Sequence, residues 1–279
     1  MMRDLAGHPE FCAINTATLG FQAPIENVID EIARAGFGGI APWRREVEGR
    51  DVKAIAKRIR DAKLKVTGYC RSTYIPASSR SQYNANIAAN ISALNDAATL
   101  GAETFVMVVG SLPAGSKDLV LARAQVAEAT AQLTKHGRKV GVKISLEPLH
   151  PVYAADRSCI TLLSEALDIC DTFNDPMLGV CVDAYHVWWD PHLARDLARA
   201  GKRIFNFHVC DWLVPTRDVL NDRGMMGDGV IDLPSLRMKV EEVGYTGLVE
   251  TEIFSIENWW KRPMAETLAV VEERLATKT

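Results

Sequence analysis

Residues 178–210 read LGVCVDAYHVWWDPHLARDLARAGKRIFNFHVC, and this stretch decides the fold class of the chain. Two short apolar runs, Leu178–Asp183 and Ile204–Val209, stand on either side of a longer, more polar segment. Each run is too short for a helix, and nearly continuous hydrophobicity is typical of a parallel strand that is covered on both faces. The stretch therefore predicts two parallel strands that are joined by a helical segment.

The same succession of apolar run, loop and helical segment recurs along the chain. The six further apolar runs are Phe11–Ile14, Gly38–Ala41, Lys65–Tyr69, Thr104–Val109, Val142–Glu147 and Leu248–Ile253. Strict alternation of strands and helices predicts a parallel α/β fold, and eight strands are the number that closes a barrel. An open doubly wound sheet usually carries a GxGxxG turn after its first strand, whereas residues 14–20 read INTATLG. We therefore predict an α/β fold, a single (β/α)8 TIM barrel over residues 1–279.

The helical segments are marked by their apolar spacing and by the residues at their ends. The apolar residues between Ile25 and Ala33 follow the spacing of an amphipathic helix. Gly36, Gly101 and Gly137 fall where helices are expected to end. The sequence Asp232–Pro234 is typical of a helix start.

Length, charge and cysteine usage exclude several classes of protein. A chain of 279 residues suits one barrel, which needs about 250 residues. A net charge of -3 gives no broad basic surface for nucleic acid or anionic lipid. There is no signal-peptide pattern at the start, no apolar stretch long enough to span a bilayer, and no CxxC pair among the six cysteines. We therefore expect a cytoplasmic protein that binds neither nucleic acid nor membrane.

Four consecutive strands carry metal-capable side chains at their carboxyl ends: Glu147, Asp183, His208 and Glu252. A single carboxylate at a strand end is usually a helix cap or an ion-pair partner, but four at corresponding positions are hard to explain separately. Because the carboxyl ends of barrel strands share one mouth, we expect the four to converge. Three carboxylates and an imidazole favour one divalent ion, Mn²⁺ first and Mg²⁺ or Co²⁺ as alternatives. Glu250 lies deeper on the same strand face as Glu252, where we expect it to be paired in the core or to lie behind the ligands.

Five motifs resemble the xylose isomerase-like family of sugar phosphate isomerases and epimerases. They are Leu146–Pro148, Val182–His186, His208–Asp211, Gly227–Asp232 and Glu252–Phe254, and the resemblance covers essentially the whole chain. It implies that the four side chains hold one divalent ion and that the two glutamates act as an acid/base pair. It also implies that His186 contacts the substrate.

Isomerising or epimerising a sugar requires that a proton be removed from a carbon next to a carbonyl. A divalent ion stabilises the charge of the resulting enediolate. We therefore predict a metal-dependent enzyme that abstracts this proton from a keto-sugar. His150, three residues beyond Glu147, is a further candidate base, and a loop histidine bonded to the backbone is the alternative interpretation.

Other functions remain open on the sequence. The run LEPLHPVYAADR at residues 146–157 and the segment Tyr185–Pro191 resemble a subgroup that includes the large (alpha) subunits of C-glycoside deglycosidases. This resemblance implies cleavage of the carbon–carbon bond of 3-oxo-C-glycosides, together with a small partner subunit. The chain has only six histidines and a negative net charge, which argues against an endonuclease IV-like nuclease. It retains all four candidate ligands, which argues against a non-catalytic sugar-binding subunit. We expect a homo-oligomer or a hetero-oligomer with a small partner subunit.

All six tryptophans follow the carboxyl end of a predicted strand: Trp43, Trp188, Trp189, Trp212, Trp259 and Trp260. Indoles at the mouth of a site can stack on a sugar or an aryl group, although loop packing explains any single one. Trp43 and Trp188 are the predicted substrate contacts. Arg71, Arg157 and Arg217 follow strands at the same end, and Arg217 is the predicted substrate-binding arginine.

Overall fold

All the strands of the structure are parallel and belong to one sheet. The computed structural model describes residues 2–279. The strands in this range are β1 Cys12–Asn15, β2 Gly39–Ala41, β3 Lys65–Val66, β4 Tyr69–Cys70, β5 Thr104–Met107, β6 Lys143–Leu146, β7 Leu178–Asp183, β8 Ile204–Val209 and β9 Val249–Thr251. Their order in the sheet is β3-β2-β1-β9-β8-β7-β6-β5-β4.

The sheet closes on itself through β3 and β4, which form its two ends. Only Thr67 and Gly68 separate these two strands in sequence. β3 pairs with β2, and β4 pairs with β5. Residues 65–70 are therefore one barrel strand with an interruption in the middle, and its two halves join the neighbours on either side. The predicted (β/α)8 barrel is confirmed, and each of the eight predicted apolar runs contains a strand.

Helices surround the sheet and bury their apolar stripes against it. They are α1 Ile25–Arg34, α2 Arg44–Val47, α3 Val52–Asp61, α4 Arg80–Leu100, α5 Leu119–Val140, α6 Leu163–Phe173, α7 Ala184–Val187, α8 Leu193–Ala200, α9 Leu233–Glu242 and α10 Met264–Lys278. Four of the apolar residues that predicted α1, Ile25, Val28, Ile29 and Ile32, are buried in this helix, and Ala33 is half-buried. None of the helices in residues 2–279 combines the length and the apolar character that crossing a membrane requires.

One of the predicted helix ends is wrong. Gly36 follows the end of α1, Gly101 caps α4 in the left-handed conformation, and Asp232 caps the start of α9. Gly137, by contrast, lies inside α5, which ends at Gly141 with a φ of 81°. A Cβ atom on Gly137 would lie 2.4 Å from the carbonyl oxygen of Val142, so the glycine allows the entry to β6 to pack against the helix.

Candidate metal and active site

Strands β6 to β9 bring the four expected side chains together at the mouth of the barrel. Asp183 and His208 are register neighbours on β7 and β8, Glu147 follows β6, and Glu252 follows β9. One ligand atom from each of the four lies within 4.8 Å of the others. All four are buried, with exposed fractions of 5% or less. The structure thus contains the convergence that the sequence analysis expects.

The imidazole of His208 points one nitrogen at the carboxylates. Its Nδ1 lies 3.6 Å from Oε1 of Glu147 and 3.8 Å from Oε2 of Glu252, and it has no hydrogen-bond partner in residues 2–279. A buried polar atom without a partner is rare in folded proteins. The direction of Nδ1 therefore fits a ligand atom that faces a metal ion.

Glu250 approaches the other nitrogen of His208 from below. Its Oε1 lies 3.1 Å from Nε2, although the angle is poor for a hydrogen bond. The same carboxylate accepts hydrogen bonds from Nδ2 of Asn15 at 3.0 Å and from Oγ1 of Thr67 at 2.6 Å. A carboxylate behind a ligating imidazole fixes the tautomer and the orientation of the ring. Glu250 is thus paired in the core and lies behind the candidate ligands, as the sequence analysis expects.

The electrostatics of the cluster favour a cation at its centre. Burial raises the pKa of Glu147, and the negative charge of Glu252 adds to this effect. Burial also raises the pKa of Asp183 to about 7, although Arg223 opposes the shift. For Glu252 burial acts in the same direction, but His208 and Arg223 outweigh it and lower the pKa. Since the carboxylates repel one another in a desolvated site, a divalent cation among them would relieve the repulsion.

A second donor set that includes a thiol is less suited to a metal. Glu147, Cys181 and His208 also lie within reach of a common point, and Sγ of Cys181 is 3.9 Å from Oε1 of Glu147. Burial raises the pKa of the Cys181 thiol well above its usual value. Because only the thiolate is a good ligand, the set with three carboxylates and one imidazole fits better.

Arg223 is the residue of this site that the sequence analysis missed. Its Nη1 lies 3.2 Å from Oδ2 of Asp183 and 3.3 Å from Oε2 of Glu252. The guanidinium packs over the rings of Tyr185 and Phe254, at 4.3 and 4.9 Å from their centroids, and is almost fully buried. Arg223 stands in the irregular segment between β8 and α9, where no apolar run distinguishes it from a surface arginine.

The predicted substrate arginine lies elsewhere. Arg217 forms a bidentate ion pair with Asp222, at 2.7 and 2.6 Å, and its side chain is 65% exposed. It does not line the cavity above the carboxylates. The ion pair with Asp222 keeps the guanidinium of Arg217 at the surface. The ion pairs with Asp183 and Glu252 keep that of Arg223 inside the site.

A cavity of about 300 Å³ opens above the cluster of Glu147, Asp183, His208 and Glu252. Its floor contains Glu147 and Glu252, and one part of its wall is aromatic, with Trp43, Phe254 and Trp260 among the lining residues. The indole N–H of Trp43 donates to Oδ1 of Asn15 at 2.7 Å, and the ring meets Phe254 edge to face at 5.3 Å. These contacts fix the wall, and the volume lies at the lower end of the usual range for small-molecule sites.

The other predicted tryptophan contact does not line this cavity. Trp188 borders a separate groove with Asp190 and Leu193. Trp189 and Trp212 pack against the ring of His150. Two of the six tryptophans, Trp43 and Trp260, therefore line the cavity.

Of the two predicted histidines that are not candidate ligands, His186 lines the cavity and His150 lies behind it. His186 lines the cavity, and its Nδ1 accepts a hydrogen bond from the backbone N–H of His150 at 3.2 Å. Burial and the charge of Arg223 lower the pKa of His186 well below its usual value, so the ring is neutral; its Nε2 lies 3.3 Å from Nη2 of Arg223 and 3.6 Å from Oδ2 of Asp183. His150 is half-buried behind His186 and does not line the cavity; its Nδ1 accepts from the backbone N–H of Val152.

Comparison with protein families gives a match over most of the chain. Residues 29–274 match the family model described as xylose isomerase-like TIM barrel. Among curated proteins, the inosose isomerase of Bacillus licheniformis is 29% identical over 157 residues. The match spans about half the length of each protein, 54% of this chain and 54% of the relative.

Solved structures agree with this fold over nearly the whole length. Protein SMc04130 from Sinorhizobium meliloti 1021 is 46% identical and superposes with a TM-score of 0.94, which covers 97% of this chain and 99% of that one. The IolI protein, solved with a bound zinc atom, is 20% identical with a TM-score of 0.82 and covers 95% of this chain and 96% of its own. At 20% identity, the similarity to the IolI protein supports the fold alone.

Proposed function

Because this chain belongs to the xylose isomerase-like TIM-barrel family, we propose that it is a divalent-metal-dependent enzyme that isomerises or epimerises a keto-sugar. The observation that carries the proposal is the convergence of Glu147, Asp183, His208 and Glu252 below one small cavity. The likeness to an inosose isomerase supports the same class of reaction. The fold alone would not support a particular reaction, because barrels of this kind catalyse many different reactions.

The four converging side chains would hold the metal ion. When bound, a divalent ion stabilises the negative charge that develops on the substrate oxygen as the proton leaves. The oxygen-rich donor set leads us to expect Mn²⁺, with Mg²⁺ or Co²⁺ as alternatives. The zinc atom of the IolI structure makes Zn²⁺ a further ion to test.

Two glutamates are placed to move the proton. Both Glu147 and Glu252 line the cavity, where a bound sugar would meet them. Arg223 forms an ion pair with Glu252 and none with Glu147, so the role of the ionised base fits Glu252 and that of the acid fits Glu147. We assign to Glu252 the removal of the proton from the carbon next to the carbonyl, and to Glu147 its delivery to the substrate.

Neighbouring groups keep the base ionised and orient the sugar. Arg223 lies 3.3 Å from Oε2 of Glu252 and favours the carboxylate form. The neutral His186 lines the cavity next to the cluster, where its ring can bond a substrate hydroxyl. The aromatic wall around Trp43 limits the access of water, which strengthens the polar contacts inside.

The glutamates are better placed than His150 to act as the base. The ring of His150 packs between Trp189 and Trp212 and is separated from the cavity by His186. A general base must come within hydrogen-bond reach of the proton that it removes. We therefore assign to His150 the support of His186 through its backbone N–H.

Cleavage of a 3-oxo-C-glycoside is the second candidate, and the aromatic wall favours it. Trp43, Phe254 and Trp260 form an apolar surface on which an aryl group can stack. In that reaction a base also removes the proton next to the ketone; the bond from the sugar to the aryl carbon then breaks, the sugar keeps a carbon–carbon double bond, and the leaving aryl carbon takes up a proton. A small partner subunit would accompany this activity.

The proposed function is tested by metal analysis and by proton exchange. We expect about one divalent ion per chain and exchange of solvent deuterium into a ketohexose. Glu147→Gln and Glu252→Gln should each lower the exchange rate by roughly 10²–10⁴-fold, because each removes an acid/base group. Glu242→Gln changes an exposed carboxylate far from the cavity and should leave the rate unchanged.

Metal-free protein that still exchanges deuterium would refute this function, and so would full activity of both cavity variants. Release of the aglycone from a 3-oxo-C-glycoside, without exchange into ketohexoses, would favour the second candidate.

A further inference from the structure

Almost every arginine in residues 2–279 forms an ion pair, and the exceptions are concentrated at the cavity. Four arginines have no carboxylate within 4.0 Å: Arg45, Arg60, Arg71 and Arg157. Arg60 is an exposed residue of α3. The other three line the cavity, and we call them the arginine rim.

Each member of the arginine rim rests on an aromatic ring. The Cζ atom of Arg45 lies 4.3 Å from the centroid of Phe21, that of Arg71 lies 4.6 Å from Tyr74, and that of Arg157 lies 5.7 Å from Tyr153. Stacking of this kind holds a guanidinium plane without using its N–H groups.

The N–H groups of the arginine rim are almost entirely free of protein acceptors. In the described residues, the single contact within hydrogen-bond distance is from Arg71 to the carbonyl of Ser72, at 3.5 Å. The backbone N–H groups of Asn221 and Leu220 are the main cause of the lowered pKa of Asp218; the charge of Arg157 adds to it, but that carboxylate is too far away to form an ion pair. Three separate segments, which follow β2, β4 and β6, supply the three arginines, and Arg45 among them lies in the short helix α2. Positive groups from separate segments thus share one opening and have no anionic partner.

We propose that the arginine rim binds an anionic group of the substrate, a carboxylate or a phosphoryl group, at the end remote from the reacting carbonyl. This inference rests on the proposed function and narrows its substrate class to sugar acids and sugar phosphates. Arginine suits both groups because its planar fork of N–H donors matches their oxygen atoms.

The charges of the cavity fix the orientation of such a substrate. The arginine rim attracts an anion at the mouth, whereas the carboxylates on the floor, with Arg223 and a divalent ion to balance them, would offer no excess positive charge. The carbonyl end therefore enters first, and the anionic end stays at the mouth. Arg45 and Arg71 also border an adjoining open groove, which gives the anionic group room beyond the cavity itself.

Calorimetric titration of the full chain with inorganic phosphate and with malonate tests the arginine rim without any turnover. We expect at least one of the two anions to bind, and the double variant R71Q/R157Q to weaken that binding by at least about tenfold, because charge-assisted hydrogen bonds are lost. R45Q, at an exposed position, provides a milder variant in case the double variant does not fold. R60Q is the matched control, since this unpaired arginine lies away from the cavity.

The preference between phosphate and malonate separates a phosphoryl group from a carboxylate. Absence of binding by both anions overturns the proposal, and so does equal affinity in R71Q/R157Q and wild type, because a metal ion alone would then hold the anion. Loss of binding in R60Q to the same extent would also overturn it.

Exchange of solvent deuterium separates this proposal from the proposed function. With D-fructose, D-fructose 6-phosphate and D-fructuronate as substrates, R71Q/R157Q should raise KM for the charged sugar by a factor at least about ten times larger than any change in KM for D-fructose. Exchange into D-fructose alone would overturn the arginine rim and leave the function standing. Anion binding that depends on the rim, without exchange into any sugar, would overturn the function and leave the rim standing.

Discussion

At the scale of single residues, His208 is held from two sides. Its Nδ1 faces Glu147 and Glu252, and its Nε2 faces Glu250. Hydrogen bonds from Asn15 and Thr67 fix the carboxylate of Glu250 in turn. The geometry of the candidate metal site thus depends on a residue that would not touch the ion.

We predict that Glu250→Gln weakens the metal site without removing a ligand. The amide has the shape of the carboxylate but no charge, so it orients the imidazole less firmly and lowers its basicity. Loss of such a partner typically costs 10–100-fold in metal affinity. Competition with a fluorescent chelator measures this directly, and Glu242→Gln is the control. An unchanged affinity in Glu250→Gln would show that Glu250 has no effect on the imidazole.

The four candidate ligands were predictable from the sequence because each charged or imidazole side chain closes an apolar run. Arg223 and the arginine rim were not, since no apolar run marks them and their positions depend on the tertiary contacts of the segments that follow the strands. What distinguishes the arginines of the rim is the lack of a carboxylate within ion-pair distance, and such distances are known only from the structure. For the same reason position alone pointed to Arg217, which pairs with Asp222, five residues away, and does not line the cavity.

At the scale of elements, α5 shows how a strand entry constrains a helix. Gly137 is inside this helix, where glycine is usually unfavourable by about 1 kcal/mol relative to alanine. Its missing side chain leaves space for the backbone at Val142, which donates to the carbonyl of Gly137 at 3.0 Å. The sequence suggested a helix end here because glycine more often ends a helix than lies inside one.

We predict that Gly137→Ala destabilises the protein although alanine is the better helix former. The new Cβ atom would lie 2.4 Å from a backbone oxygen, which cannot move without displacing the start of β6. Overpacking of this kind typically costs about 1–3 kcal/mol, which outweighs the gain in helix propensity. Urea denaturation should give a lower midpoint for this variant, whereas Lys135→Ala on the exposed face of α5 should change it little. A higher midpoint for Gly137→Ala would contradict the packing described.

The strands were the most predictable elements of the fold. A continuous apolar run is a local property of the sequence, and eight such runs in strict alternation with helices leave few other architectures. The interruption of the third strand at Thr67 and Gly68 was not predictable. Thr67 lies in an apolar run, but its hydroxyl turns to Glu250 across the barrel, 183 residues away in sequence.

At the scale of the whole molecule, the buried carboxylates link stability to pH and to metal. The pKa of Asp183 is raised from 3.8 to about 7, so the folded metal-free protein binds more protons than the unfolded chain between these values. Stability therefore falls as the pH rises through this range. A divalent ion needs the ionised carboxylates, so its stabilising effect grows over the same range.

We predict that, after treatment with a chelator, the thermal midpoint of the wild type falls relative to that of Asp183→Asn between about pH 4 and pH 7. The amide at position 183 cannot ionise, so the variant lacks this part of the pH dependence. Adding Mn²⁺ should raise the midpoint of the wild type more at pH 8 than at pH 5.5. Thermal unfolding followed by circular dichroism measures both effects, and a larger effect of Mn²⁺ at the lower pH would contradict the account.

The central claim is that Glu147, Asp183, His208 and Glu252 hold one divalent ion at the mouth of the barrel. Anomalous diffraction from crystals grown with Mn²⁺, collected at the manganese absorption edge, tests it most directly. The account predicts one strong peak that is coordinated by an atom from each of these four side chains. A peak held by other residues, or crystals without a peak at this position, would contradict it.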